Sequence, residues 1–180
     1  TIASTGDAKD FGDLTVARLD SETVCNGSRL VTYAGSVPSP TNAVNTMDYI
    51  TVASTGAAQD FGDAAELNNG RAAAGNSSTR GVFMGGRNQP SPNNISTINY
   101  ITIATLGNAT KFGDLTAAKR FASGTSDKIR ALCCSGYTSS AQDVIEYVNI
   151  ATQGDGVDFG NLNTSTFSGA AISNAHGGLG

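Results

Sequence analysis

Tryptophan is absent from this chain, histidine occurs once, at His176, and methionine only twice. One histidine with three cysteines does not readily fill a four-ligand zinc site, and His176 has no neighbouring Ser or Cys nucleophile in a recognised context. Charge is scarce as well: Asp, Glu, Lys and Arg make up 14% of residues, the net charge is -4, and the 11 basic residues are scattered. Scattered cations on an acidic chain leave no footprint for a phosphate backbone, so nucleic acid is not an expected partner. No apolar run approaches the roughly 18 residues that cross a bilayer, and the N-terminus lacks the basic and apolar regions of a signal peptide, so no membrane insertion is expected. Cys25, Cys133 and Cys134 form an odd set without CxxC spacing. Adjacent residues on a strand point to opposite faces, so Cys133 and Cys134 cannot serve one ligand. All three read as small packing residues, with a disulfide from Cys25 to one of the pair as the alternative.

What is abundant points one way. Hydrophobic residues reach 39% of 180, enough for one domain with a real core, and 22 glycines accompany many Ser, Thr and Asn. Strong helix formers are few, and that balance belongs to all-β proteins with many tight turns. The sequence begins without Met in the middle of a pattern that later copies show complete, the expected mark of processing or of a piece of something longer.

The pattern is a repeat. DFGD at residues 10–13 returns at 60–63, as KFGD at 111–114 and as DFGN at 158–161. Its aromatic, at Phe11, Phe61, Phe112 and Phe159, steps by 50, 51 and 47 residues, and Tyr49, Tyr100 and Tyr147 each precede the next Phe by 12. Alternating β-branched residues such as Ile101, Thr102 and Ile103 begin a half-buried strand. Gly6, Gly56, Gly107 and Gly154 then mark a turn, and the Phe anchors the next strand. After the box, DLTVAR and DLTAAKR lead to Arg18 and Arg120. Farther on, RLVTYAG, RGVFMGG and RALCCSG are apolar enough to imply burial on both faces. The stretches from Ser36, Arg87 and Tyr137, rich in Pro, Ser and Asn, read as exposed loops. Four short antiparallel strands in about 50 residues make a propeller blade, with a β-solenoid as the nearest competitor.

Gly85-Gly86 closing an apolar strand, the spaced aromatics Tyr100 and Phe112, and the segment from Leu115 to Arg120 make the chain resemble kelch-type repeats. It departs from them where Gly-Gly becomes Ala34-Gly35 and Ser135-Gly136, and where Phe stands for the usual Trp. The wording YITIAT-x-GNAT-x-FGDLT is also similar to repeats in virion and tail-appendage proteins of marine tailed phages, especially those of cyanobacteria. These resemblances imply a single all-β, kelch-like β-propeller domain over residues 1–180. Its blades are expected near 18–65, 66–117 and 118–163, with 1–17 and 164–180 as complementary halves of a further blade. Residues 167–180 are expected to supply an inner strand. A small closed four-bladed ring is the preferred arrangement, since closure removes exposed sheet edges, and part of a larger propeller is the alternative.

Asp-Phe-Gly is also a kinase signature, but there it works beside a Gly-rich loop, a strand Lys and a catalytic HRD loop, none of which is present. A catalytic residue is needed once, whereas this box recurs in every unit. The box therefore reads as packing: Phe between blades, Gly for close approach and Asp accepting turn amides. Calcium at Asp10 with Asp13, or Asp60 with Asp63, is the rival, weakened by Lys111 and Asn161 at the same places in the other copies. His176 reads as an inner-strand residue, and a copper-radical site would need more histidines. Sequons at Asn26, Asn76, Asn94, Asn108 and Asn163 fall within chance for this composition. No catalytic, cofactor-binding or metal-ligating residue is assigned. The expected function is a non-enzymatic virion or extracellular module, working in an oligomer or larger assembly, that docks to other virion or tail proteins or to a host-surface glycan. A cellular kelch-like scaffold and a carbohydrate-active enzyme with its site in the channel are the alternatives.

Overall fold

The computed structural model describes residues 5–38, 42–69, 72–88 and 93–173. His176, and with it residues 174–180 of the expected inner strand, lies outside them. Among the described residues there are twelve strands and no helix. They form three antiparallel four-stranded sheets, each following the chain in simple order. The first holds β1 (Glu22–Cys25), β2 (Arg29–Val37), β3 (Asn42–Thr51) and β4 (Gln59–Asn68). The second holds β5 (Ala73–Asn76), β6 (Arg80–Arg87), β7 (Asn94–Thr102) and β8 (Thr110–Asp114). The third holds β9 (Ser123–Ser126), β10 (Arg130–Cys134), β11 (Gln142–Asn149) and β12 (Val157–Thr166). The order β1-β2-β3-β4 recurs in each, so the 50-residue repeat is one sheet per copy.

Two apolar clusters hold the sheets side by side. Val24, Val31, Tyr33, Met47 and Phe61 of the first sheet meet Phe83, Ile101, Ile103 and Ala109 of the second. Ala73, Val82, Met84, Ile98 and Phe112 of the second meet Ala131, Cys133, Val148 and Ile150 of the third. Tyr33 and Phe83 stack across the first junction, with ring centroids 4.0 Å apart. The short strands β5 and β9 are rich in Ala, Gly and Ser because their backbones nearly touch: a Cβ on Gly124 would collide with the backbone of Ala74. Asn76 of β5 hydrogen-bonds to Ser126 of β9 in both directions and donates its side-chain amide to the Cys25 carbonyl of β1.

Several local expectations are corrected. The stretches from Ser36 and Arg87 are not loops throughout. Ser36 pairs with Ala43 and Val37 with Asn42, and Arg87 pairs with Asn94, so strand pairing continues close to the hairpin tip. In β10 burial alternates, with Ala131 and Cys133 inside and Leu132 and Cys134 half-exposed, because only one face meets the second sheet. All three cysteines are free, and Cys133 and Cys134 do point apart. Residues 167–173 form no strand: the Ser168 amide donates to the Phe121 carbonyl while the Phe167 ring packs on Phe121 and Tyr137. Residues 5–18 form no named strand and attach to the first sheet by scattered hydrogen bonds.

Candidate functional site

The recurring box is the element that joins one sheet to the next. The Phe11 and Asp13 carbonyls accept the Gly56 and Ala58 amides, both at 2.8 Å. In the next copy the Phe61 and Asp63 carbonyls accept the Gly107 and Ala109 amides at 2.9 and 2.8 Å, and in the third the Asp114 carbonyl accepts the Gly156 amide at 2.8 Å. Each of the first three boxes thus grips the turn that precedes the following box. The box glycine makes this possible: a Cβ on Gly12, Gly62 or Gly113 would collide with the carbonyl of Gly56, Gly107 or Gly154, respectively. Two junctions add a side-chain clasp, in which Asn108 Oδ1 accepts the Asp63 amide and Asp155 Oδ1 the Asp114 amide, both at 2.9 Å. Ala57 leaves the first junction without it.

The carboxylate that opens the box caps its own turn. Asp10, Asp60 and Asp158 each accept the amide two residues on, at 3.0, 3.2 and 2.9 Å, the Asx-turn geometry. Lys111 forgoes the cap and pairs with exposed Asp114 at 2.7 Å. No group of three or more His, Cys, Asp or Glu side chains gathers in a metal-ligating cluster among the described residues. Phe61 and Phe112, which are 2% and 4% exposed, wedge between sheets, and each meets the Tyr of its own sheet edge to face. Phe11 and Phe159 are 37% and 54% exposed, so the four aromatics do not share one environment.

A second layer of each junction is polar and was not foreseen. Arg18 and Asp48 form a fully buried ion pair at 2.9 Å, with the Thr15 hydroxyl donating to the same carboxylate. Lys119 and Glu146 repeat it at 2.5 Å, the Thr116 amide donating to Glu146 at 2.8 Å. The cation matching Arg18 is therefore Lys119, and Arg120 instead lies over the Phe121 and Tyr137 rings and donates to Asn94. At the middle junction Asn99 replaces the carboxylate and donates to the Tyr33 hydroxyl and Glu66 at 3.2 and 3.4 Å. Asp48, Asn99 and Glu146 all stand immediately before the fixed Tyr, the signal that could have disclosed the layer. Burial holds the Arg18 guanidinium below its ordinary range against the pull of Asp48. Burial also raises the Tyr33 hydroxyl and pushes the Cys133 thiol up to about 12, with Lys119 opposing the latter.

The strand order sends the β1–β2, β5–β6 and β9–β10 turns to one end of the sheets and the Pro/Ser/Asn hairpins to the other. At the first end, Arg29 donates to the Ile103 carbonyl at 3.0 Å, and Arg80 donates to those of Ile150 and Ala151 at 2.8 and 3.1 Å. Each guanidinium also covers its own sheet's Tyr ring, at 4.3 and 4.5 Å. Beside Arg80 a cleft of about 510 Å³ opens between Ser77, Thr79, Lys128 and Ile129. At the other end, Asn94 donates to the Tyr137 and Thr138 carbonyls, tying the second hairpin to the third. Its amide and that of buried Asn76 are thus occupied within the fold, whatever their sequons imply. No family model matches this chain, and no curated protein matches it.

Proposed function

We propose that the chain is a non-enzymatic structural and binding module, a kelch-like β-propeller or part of one. In this reading it serves as a virion or tail-appendage component that docks to other virion proteins or to a host-surface glycan. The observation that carries the proposal is the repeated junction: box, turn, aromatic wedge and buried polar pair recur from sheet to sheet, so the side chains that chemistry would need are engaged in architecture. Asp48 and Glu146, the buried carboxylates, each face a cation and a neighbouring Thr.

Kelch likeness gains support from backbone geometry. Ala34, Gly85 and Ser135 take φ of 48°, 73° and 62°, and Gly35, Gly86 and Gly136 follow at 117°, 122° and 116°. Ala34 and Ser135 therefore adopt a left-handed geometry that glycine fills most cheaply, which explains why the departures from Gly-Gly keep one conformation. Docking is assigned to the two ends of the sheets. Polar, hydroxyl-rich segments that recur from sheet to sheet offer weak contacts many times over, and repetition multiplies avidity. Mass spectrometry of purified particles from the source virus tests the virion assignment, and its absence from them would sink it. A glycan array probed with the purified chain tests the receptor role separately.

A further inference from the structure

Among the described residues, the row of sheets carries two unfilled halves of the same junction. At one end no described turn meets the fourth box, on β12. Nothing lies within 4 Å of a Cβ built on Gly160, whereas the same position in the three earlier boxes is filled by the following turn. Beside it on β12, Val157 and Phe159 are exposed. Arg130, which holds the place of Arg29 and Arg80, rests on the Tyr147 ring at 4.8 Å; among the described residues no following sheet offers it a carbonyl. At the N-terminal end the segment holding Gly6, which corresponds to the gripped turns at Gly56, Gly107 and Gly154, has no box upon it among the described residues: its Gly6 and Ala8 amides meet no box carbonyl. Closure within one chain would bring these two glycines together, and they stand apart.

We infer that the exposed fourth box of one copy binds the Gly6 turn of a second copy, head to tail, as each internal box binds the turn after it. The three internal junctions supply the register. Gly6 and Ala8 amides would donate to the Phe159 and Asn161 carbonyls, as Gly107 and Ala109 donate to Phe61 and Asp63. Gly160 would lie against the Gly6 carbonyl. Asp7, which follows the turn glycine as Asn108 and Asp155 do, would accept the Asn161 amide and supply the clasp that the first internal junction lacks. The second copy's residues 10–18 then continue the outer layer. A head-to-tail contact is heterologous, so it closes into a ring where the rotation permits and otherwise extends.

Sedimentation velocity over a concentration series tests this with the full chain, Asp7→Ala and Phe159→Ser. Asp7 and Phe159 are both exposed in the single chain, so far-UV circular dichroism should be unchanged. Wild type is expected to associate reversibly. Asp7→Ala loses a charge-assisted hydrogen bond and should associate about tenfold more weakly. Phe159→Ser should remain monomeric where wild type is associated. Mixing the two variants, at a concentration where neither associates alone, is the decisive arm: one retains a sound tail and the other a sound head, so a single junction should return and stop at pairs. A wild type that stays monomeric throughout, or variants that associate as wild type does, would overturn the inference. A monomer that both substitutions destabilise would replace it with closure of the chain on itself.

Discussion

Lys119→Met isolates the energetic role of the polar layer. Its ammonium is 2.5 Å from Glu146, and the two side chains are 2% and 0% exposed. Methionine keeps most of the stem and removes the charge. Glu146 is then left in the sheet-to-sheet interior with the Thr116 amide as its remaining donor. Removing one member of a buried pair costs about 3–5 kcal/mol, because the other charge stays desolvated without compensation. For a chain of this length each kcal/mol lowers the melting temperature by about 2–4 °C, so a drop of roughly 6–20 °C is expected. The double variant Lys119→Met with Glu146→Gln should recover most of that loss, since Gln keeps an acceptor for Thr116 and no charge remains. The middle junction shows that a neutral group is tolerated there, with Asn99 at the place of Glu146. Urea unfolding of the wild type, both single variants and the double variant gives the cycle, with a coupling of at least about 2 kcal/mol expected. A Lys119→Met midpoint indistinguishable from wild type, or two strictly additive substitutions, would show that the pair carries no stability.

The aromatics offer a graded comparison: Phe61→Ala and Phe112→Ala should each cost about 3–5 kcal/mol, while Phe159→Ala, which loses little beyond an edge contact with Tyr147, should cost about 1 kcal/mol or less. Equal losses at all three, measured by chemical denaturation, would deny that the wedge acts between sheets. Chelator should leave the melting temperature unchanged, because Asp10, Asp60 and Asp158 already cap their own turns; a fall restored by calcium would reinstate a metal role. Cys133 should resist alkylation in the native state while half-buried Cys25 and Cys134 react, as mass mapping after a timed iodoacetamide pulse can show. Its raised thiol also sets a sign: the folded state favours the neutral form, so this contribution is complete below the ordinary value of 9.0 and is lost as pH climbs toward about 12. Cys133→Ala should flatten that alkaline limb, with Tyr33, raised for the same reason, contributing what remains.

What could be read from the letters was whatever repeats in place. The Tyr-to-Phe spacing of 12 never changes because Tyr and Phe sit on neighbouring strands of one sheet and meet edge to face at 5.9–6.2 Å, so an insertion between them would break the contact. The box was legible as architecture for the same reason. The buried pairs were hidden because their two halves come from different copies and vary in kind: Arg with Asp, Lys with Glu, then Asn with neither. Arg18 and Lys119 stand at one offset from the box aromatic, 7 residues after Phe11 and Phe112, so counting would have matched them; matching Arg18 with Arg120 by residue type concealed the equivalence. A junction that tolerates such exchange while holding its glycines fixed has its tightest constraint in the backbone. Side chains can be traded across an interface as long as charge is matched, but a Cβ at Gly12, Gly62 or Gly113 meets another strand's carbonyl, and no neighbour can compensate for that collision. The box recurs in every copy because the approach of two backbones is the contact the sheets cannot do without.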